Sequence, residues 1–254
     1  MRFPAPLIRG RLVQRYKRFL ADVMLDSGET VTATCPNTGS MIGLTAPGSI
    51  VWLSESDSAT RKYRHTWEMV EADLGQGPAL VGINTSRPNA LVTEAIVAGL
   101  IADLAGYPEL RREVKYGQNS RIDILLDCAS KGRCYVEIKN VHMMRRAGIA
   151  EFPDSVTQRG AKHLLELADM VREGHRAVML FLIQRGDALR LDLARDIDPG
   201  YGEAFDAAQA AGVEMLAYRC RLSPEEIVVD TAVPVEGSTS RSKTPRVRKT
   251  RTRV

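Results

Sequence analysis

The alternation of apolar and polar positions in the middle of the chain predicts a β-hairpin. Residues 120–126 and 135–141 are rich in isoleucine, leucine and valine, and the polar turn 130–133 separates them. Successive side chains of a strand point to opposite faces of its sheet. Glu137 and Lys139 are therefore expected on one face of the second strand, and Val136 and Ile138 are expected to pack on the other face.

Patterns on either side of this hairpin predict helices. Asn89 has the side chain of a helix N-cap, and apolar residues then recur at helical spacing from about 90 to 104. A second helix is expected to open within 154–163 and to continue to about 172. With a short strand near 113–116 and a buried strand at 177–183, the order is helix, three strands, helix, strand, which is typical of an α/β domain.

The first 80 residues show a different pattern. Short β-like runs at 11–25, 30–34 and 50–53 are separated by turn residues such as Ser27-Gly28 and Pro47-Gly48. Short strands at this spacing predict a small closed barrel.

Charged side chains on the hairpin are the candidates for chemistry. Asp123 lies on its first strand, and Glu137 and Lys139 lie on its second. Ionised groups are costly to bury unless they are paired or hold a metal, so we expect these three to converge on a cation. Glu94, in the first turns of the first helix, is a candidate third carboxylate, although an acid near a helix N-terminus is favourable without any metal. Taken alone, the three-residue pattern is also compatible with ordinary solvated side chains.

Cations gather in three places along the chain. They crowd its start, they mix with aromatic residues at 61–67, and they open the second helix, whose N-terminus favours anions. Cations follow a phosphate backbone while rings stack on bases, so nucleic acid is the predicted partner, and a charged, solvated surface is the alternative. The candidate nucleic-acid-binding residues are Arg15, Lys17, Arg18, Arg61, Lys62, Arg64, Gln158, Arg159 and Lys162.

Asp123 followed by Glu137 and Lys139 across a hairpin resembles the PD-(D/E)xK nuclease superfamily. The resemblance implies that the two carboxylates bind Mg²⁺, with Mn²⁺ as a substitute, and that the lysine orients or activates the attacking water. It also implies a further carboxylate facing the metal at the place of Glu94. Mg²⁺ is a hard cation that prefers carboxylate oxygens, which suits these side chains.

Several segments together resemble the sugar fermentation stimulation protein A (SfsA) family. They are residues 15–19, 35–41, 83–85, 88–89, 120–123, 136–141, 152–157 and 159–164, and the match runs from about 9 to 236. The resemblance implies a mixed α/β fold class, with an N-terminal OB-like nucleic-acid-binding β-barrel over 1–82 and a PD-(D/E)xK nuclease-like α/β domain over 83–236. It further implies a DNA-binding protein linked to the regulation of sugar (maltose) metabolism genes.

Two other functions stay open beside that one. The first is a Mg²⁺-dependent nuclease that hydrolyses phosphodiester bonds in DNA or RNA, because the carboxylates and the lysine of the superfamily pattern are intact. The second is a scaffold whose basic surface serves protein partners. The pattern leaves open whether the nucleic acid is single- or double-stranded, and it leaves the oligomeric state open.

Composition predicts a cytoplasmic protein with a separate tail. The chain lacks an apolar run of the ~20 residues that span a membrane, and its start lacks the apolar region of a signal peptide. The 4 cysteines show no Cys-x-x-Cys spacing and the histidines do not cluster with them, so reduced thiols are expected and zinc is not. The tail 237–254 carries +7; since the whole chain is +4, residues 1–236 sum to −3. Having few apolar residues, this tail is expected to be disordered, and such tails commonly hold nucleic acid non-specifically.

Overall fold

The structure, a computed structural model, describes residues 1–117 and 120–236. The predicted tail, 237–254, lies outside the described residues. The helices are α1 (Pro88–Val97), α2 (Gln158–Arg172) and α3 (Pro199–Ala210), with a 3₁₀ turn at Ala102–Leu104. The strands are β1 (Ile8–Tyr16), β2 (Leu20–Leu25), β3 (Thr30–Thr34), β4 (Ile50–Glu55), β5 (His65–Asp73), β6 (Pro78–Gly82), β7 (Glu109–Tyr116), β8 (Ser120–Cys128), β9 (Gly132–Val141), β10 (Met144–Arg146), β11 (Ile149–Phe152), β12 (Arg176–Ile183), β13 (Arg190–Leu193), β14 (Glu214–Leu222) and β15 (Ile227–Ala232).

The first five strands form a closed barrel, as the sequence predicts. They pair in the order β3-β2-β1-β4-β5, the parallel pairing of β3 with β5 closes the ring, and β6 extends from β5. Apolar side chains fill the interior, among them Leu12, Leu53 and Trp67. Trp67 is fully buried and its indole Nε1 donates to the carbonyl of Met69 at 2.9 Å, so this ring belongs to the core and does not offer a surface to bases.

A turn divides the run that the sequence presents as one strand at 11–25. Lys17 and Arg18 have positive φ angles of 51° and 65°, and they connect β1 to β2. Two successive residues with positive φ are the mark of a tight hairpin turn, which usually contains asparagine or glycine. The turn was missed because neither residue carries that signal.

The second domain is built on a six-stranded sheet in the order β15-β14-β12-β9-β8-β7. β12 lies at its centre, parallel to both neighbours, and its side chains from Ala177 to Ile183 alternate between two buried clusters. A strand that is covered on both faces is apolar at every position, which is why this segment reads as an unbroken run. α1 covers one face, and α2 and α3 cover the other. The predicted order of helix, three strands, helix and strand is present, but two short strands that the prediction lacks, β10 and β11, precede α2 and pair with β13 in a separate three-stranded sheet.

The first helix differs from its prediction at both ends. α1 begins after Arg87, not after Asn89, and it ends at Val97, because Gly99 has a φ of 73°. The amide of Leu100 donates to the carbonyl of Ala95 and that of Gly99 to Ile96, which is the hydrogen-bond pattern of a glycine-terminated helix. Asn89 therefore lies inside the first turn, where its side chain is free to serve the neighbouring sheet.

A buried carboxylate joins the barrel to the start of α1. Glu68 of β5 is fully buried and accepts hydrogen bonds from Arg87 at 2.6 and 3.1 Å, from Ser54 at 2.8 Å and from Asn84 at 2.9 Å. A carboxylate can be buried when its oxygens are satisfied in this way. The contact fixes the residue that precedes α1 against the barrel wall.

Two further properties of the described residues concern membrane spans and cysteines. None of their helices has the length and the apolar character needed to cross a bilayer. The cysteines Cys35, Cys128, Cys134 and Cys220 are all free, and only Cys128 lies outside the buried core.

Candidate active site

The site lies where β8 and β9 separate. Their pairing runs as far as Ile124, opposite Val136. Beyond that pair, the carboxylate of Asp123 takes the place of a main-chain acceptor: its Oδ2 accepts a hydrogen bond from the amide of Ile138 at 2.8 Å. The aspartate is thus held at the fork by the strand that carries the other two motif residues.

Glu137 lies on the face of β9 that α2 covers, and it is almost completely buried, with 3 % of its surface exposed. Its Oε1 accepts a hydrogen bond from the ammonium of Lys139 at 2.8 Å and contacts Nδ1 of His163. Its Oε2 is buried and has no hydrogen-bond partner within residues 1–117 and 120–236. Burial alone would raise the pKa of this carboxyl, but the hydrogen bond from His163 and the charge of Lys139 outweigh it and lower the pKa.

Asp123 has the opposite electrostatic balance. Its Oδ1 accepts a hydrogen bond from Nδ2 of Asn89 at 2.8 Å. Burial raises the pKa of Asp123, and the negative charge of Glu137 raises it further. The charge of Glu137 thus disfavours ionisation of Asp123 in the same cleft, and a cation bound between the two carboxylates would offset that repulsion.

His163 connects the buried carboxylate to the surface of α2. Nε of Arg159 donates to its Nε2 at 3.3 Å, so in the neutral ring the proton resides on Nδ1, which then donates to Glu137. The ammonium of Lys139 lies 3.2 Å from the same Nδ1. Sequence reasoning gave His163 no role, although its spacing of four residues from Arg159 places both on one face of a helix.

Two adjoining cavities of about 410 and 460 Å³ form the cleft. Both are lined by Glu113, Asp123, Glu137, Arg159 and His163. Glu113 was predicted only as the first residue of a short strand, and no functional role was assigned to it. Within 1–117 and 120–236, no group of three or more acidic, histidine or cysteine side chains is arranged as a ready metal cage.

The structure does not bring Glu94 to this cleft. Its carboxylate pairs with the amino group of Met1 at 2.9 Å, its side chain is 60 % exposed, and it lines neither cavity. Glu94 follows Asn89 by five residues, which is a rotation of about 140° around a helix, so the two side chains point in different directions. Glu94 therefore lies outside the cleft that Asp123 and Glu137 line, and Asn89 occupies the place beside Asp123.

The three candidates on α2 have different environments. Arg159 is exposed and lines both cavities, while its Nε is held by His163. Lys162 lines one cavity and pairs with Glu166 at 3.5 Å. Gln158 is exposed at the first position of the helix and lines neither cavity.

The candidate cations of the barrel also divide into two groups. Arg15 is a structural residue, because its guanidinium donates to the carbonyls of Arg18, Asn37 and Gly39 at 2.9 to 3.0 Å. Three others already have partners within the barrel: Arg61 with the hydroxyls of Thr34 and Thr66, Arg64 with Glu55, and Lys62 with the ring of Tyr63. Among the described residues, no ion pair engages Lys17 or Arg18, which are exposed on the turn between β1 and β2.

Two family models match the chain in succession. The SfsA N-terminal OB domain matches residues 13–83, and the sugar fermentation stimulation protein RE domain matches residues 86–226. The chain belongs to the SfsA family. The resemblance seen in the sequence is confirmed, and so is the fold class, an N-terminal OB barrel followed by a mixed α/β domain.

Similar SfsA proteins cover almost the whole chain. The sugar fermentation stimulation protein homolog of Rhizobium meliloti (strain 1021) is 59 % identical over 236 residues, which are 93 % of this chain and 97 % of the relative. That of Azorhizobium caulinodans is 56 % identical over 237 residues, covering 93 % and 100 %. The structure of Pyrococcus furiosus SfsA in complex with Ca²⁺ matches with a TM-score of 0.81 at 28 % identity, covering 93 % of this chain and 98 % of that one.

Proposed function

We propose that the cleft binds DNA and hydrolyses its phosphodiester bonds with the help of a divalent cation. The observation that carries the proposal is the unequal use of the two oxygens of Glu137. Oε1 is held by Lys139 and His163, whereas Oε2 is buried and has no hydrogen-bond partner among the described residues. Glu137 itself lines the cleft. A buried, ionised oxygen without a partner is costly unless a cation satisfies it.

The residues present suit a hard cation. Asp123 and Glu137 offer carboxylate oxygens, and Mg²⁺ is usually bound by one or two carboxylates while it keeps several waters, so a cage of three protein ligands is not required. The structure of the Pyrococcus furiosus relative contains Ca²⁺, which prefers the same oxygen ligands. Mg²⁺, with Mn²⁺ as its substitute, is the cofactor we propose for this chain.

Each side chain of the cleft then has a defined task. A bound divalent cation supplies Lewis-acid stabilisation of the charge that develops on the reacting phosphate. Lys139 keeps an ammonium beside Glu137, where it orients the attacking water or offsets charge on the phosphate. Arg159 uses Nε to hold His163 and has its two terminal nitrogens left for a phosphate at the positive end of α2.

The barrel supplies a second contact with DNA in this proposal. Lys17 and Arg18 are exposed on one turn, and cations of this kind attract a phosphate backbone by releasing condensed counterions. The turn is tied to the cleft through the segment 35–41. Arg15 donates hydrogen bonds to the carbonyls of Asn37 and Gly39 in that segment. The carbonyl of Pro36, in the same segment, accepts a hydrogen bond from Thr85, which lines the cleft.

A regulator of sugar-metabolism genes is the second candidate function. The family description names sugar fermentation stimulation, and such a protein would use the same cleft and turn to bind DNA without cutting it. RNA is the alternative nucleic acid in either case.

The deciding experiment incubates the purified protein with single-stranded, duplex and branched DNA and with RNA, in Mg²⁺, Mn²⁺ or chelator. We expect cation-dependent cleavage by the parent, and loss of cleavage with retained binding in Glu137→Gln and Lys139→Ala. Glu109→Gln is the matched control, because Glu109 is exposed at the start of β7. If the parent binds DNA but cuts nothing, the regulator is the better conclusion. Cleavage by both site variants at the rate of the parent would assign the activity to a contaminant.

A further inference from the structure

A glutamate in the middle of β7 has a backbone conformation that residues with a side chain rarely adopt. Glu113 has a φ of 53°, although it is neither a glycine nor an asparagine and lies inside a strand. Such a conformation is strained for a residue with a Cβ atom, and it persists where the surrounding structure requires it. Glu113 lies opposite Asp123, since its neighbours Arg112 and Val114 pair with residues on either side of that aspartate.

β7 turns over at this residue. Leu110 packs against the cluster under α1, whereas Val114 packs against the cluster under α2. In a regular strand, residues four apart face the same side. The strand therefore changes sides at Glu113, and β8 does the same at Asp123, where its buried isoleucines on either side belong to different clusters. The strained residue and the aspartate mark one distortion that opens the sheet.

One amide joins the two acids across this opening. Nδ2 of Asn89 donates to Oε1 of Glu113 at 3.0 Å and to Oδ1 of Asp123 at 2.8 Å. The two carboxylate oxygens therefore lie at most 5.8 Å apart, the combined length of these two bonds. Both protons of the amide are used, so the position of Glu113 determines how Asn89 presents Asp123.

The charge of Glu113 has no counterpart in the described part of the chain. No described lysine or arginine forms an ion pair with it, and it lines both cavities together with Glu137. A third acid in a cleft that accepts phosphate repels the ligand unless a cation lies between them. Glu137 lines the same cavities, and its Oε2 is buried without a hydrogen-bond partner among the described residues. A buried ionised oxygen of this kind is costly unless a cation satisfies it.

We propose that Glu113 is a positioning residue of the cation site. Its carboxylate accepts hydrogen bonds from the waters that a divalent cation carries, and through Asn89 it orients Asp123 toward that cation. The ligand is a hydrated divalent cation such as Mg²⁺, which keeps most of its water when protein binds it. This inference rests on the cation of the proposed function and adds a residue that the three-residue motif does not contain.

The test measures cation binding by calorimetry, with Mg²⁺ or Ca²⁺ alone and no nucleic acid. Glu113→Gln keeps the shape and removes the charge, and we expect it to bind the cation at least about tenfold more weakly, as loss of a group that supports a metal ligand usually does. Glu113→Gly also removes the carboxylate but accepts the positive φ without strain. We expect weaker binding from this variant too, with a melting temperature in chelator no lower than that of the parent. Glu109→Gln, on the same strand, should bind like the parent.

The outcomes separate this inference from the function on which it rests. If the parent binds the cation and both Glu113 variants bind it equally well, the role of Glu113 is overturned and the proposed function stands. If the parent binds no divalent cation at all, the proposed function fails and the inference fails with it. Weaker binding by both variants, with normal binding by Glu109→Gln, supports the inference.

Discussion

Replacing Glu68 by alanine removes the buried carboxylate that joins the barrel to α1. The side chains of Arg87, Ser54 and Asn84 donate hydrogen bonds to this carboxylate, and two nitrogens of Arg87 reach one oxygen each. After the substitution, Asn84 is left buried without its acceptor, and Arg87 loses its counterion. Breaking one side of a buried ion pair usually costs about 3–5 kcal/mol, because the remaining charge stays desolvated.

The magnitude for this protein should lie at the lower end of that range. The side chain of Arg87 is 29 % exposed, so water can solvate part of its charge once Glu68 is gone. We therefore expect a loss of about 3 kcal/mol in the free energy of unfolding. For a chain of this size, that loss lowers the melting temperature by roughly 6–12 °C.

Urea and thermal unfolding of the parent, Glu68→Ala and Glu71→Ala measure this loss. Glu71 lies on the same strand with a half-buried side chain, and its replacement should change the free energy by about 0.5 kcal/mol or less. A loss below about 1 kcal/mol in Glu68→Ala would refute the reasoning, since that is the contribution of a single ordinary hydrogen bond.

Three further predictions concern other parts of the chain. His142, whose Nε2 lies 3.5 Å from the carboxylate, and the hydroxyl of Ser40 lower the pKa of Asp154 to about 2. The stability that Asp154 contributes is therefore complete above about pH 4 and is lost as pH falls toward 2. In urea unfolding at several pH values, the difference in free energy between parent and Asp154→Asn should shrink over that range. Lys17→Asn combined with Arg18→Gly should raise the melting temperature, because asparagine and glycine favour the positive φ angles of this turn. The same double variant should bind DNA more weakly, and the slope of log affinity against log salt concentration should become shallower by up to about 1.8, as binding titrations at several salt concentrations would show. Gly99→Ala should cost about 1 kcal/mol in the free energy of unfolding, measured in urea, because the added methyl has space but the φ of 73° stays unfavourable.

The alternation of β9 was sufficient to place Glu137 and Lys139 on one face, because the period of a strand is fixed by its backbone. The structure confirms this arrangement: Val136 and Ile138 pack under α1, and Glu137 faces α2. β12 was also predictable, since a strand that is buried on both faces is a run of apolar residues. In the barrel, β3 and β4 match predicted strands, whereas β1 and β2 were predicted as one run and β5 and β6 were not predicted.

The other residues of the site depend on contacts that no local pattern encodes. Glu94 and Asn89 lie on one helix, and only the rotation of that helix against the sheet decides which of them meets Asp123. The positive φ of Glu113 follows from the opening of two strands, and glutamate carries no preference for it. Arg15 is read as a surface cation from its neighbours in sequence, yet its guanidinium holds the carbonyls of a distant segment.

The hydrogen bond from the amide of Ile138 to Asp123 has a consequence for how the motif is used to infer activity. The carboxylate satisfies a main-chain donor at the fork of two strands, so this aspartate stabilises the sheet of an SfsA protein whether or not that protein is a catalyst. Its presence in a sequence therefore reports the architecture of the sheet. Oε2 of Glu137 has no hydrogen-bond partner among the described residues. Under the proposed function, a change from glutamate to glutamine at that position is therefore the better sign that a relative does not bind the cation.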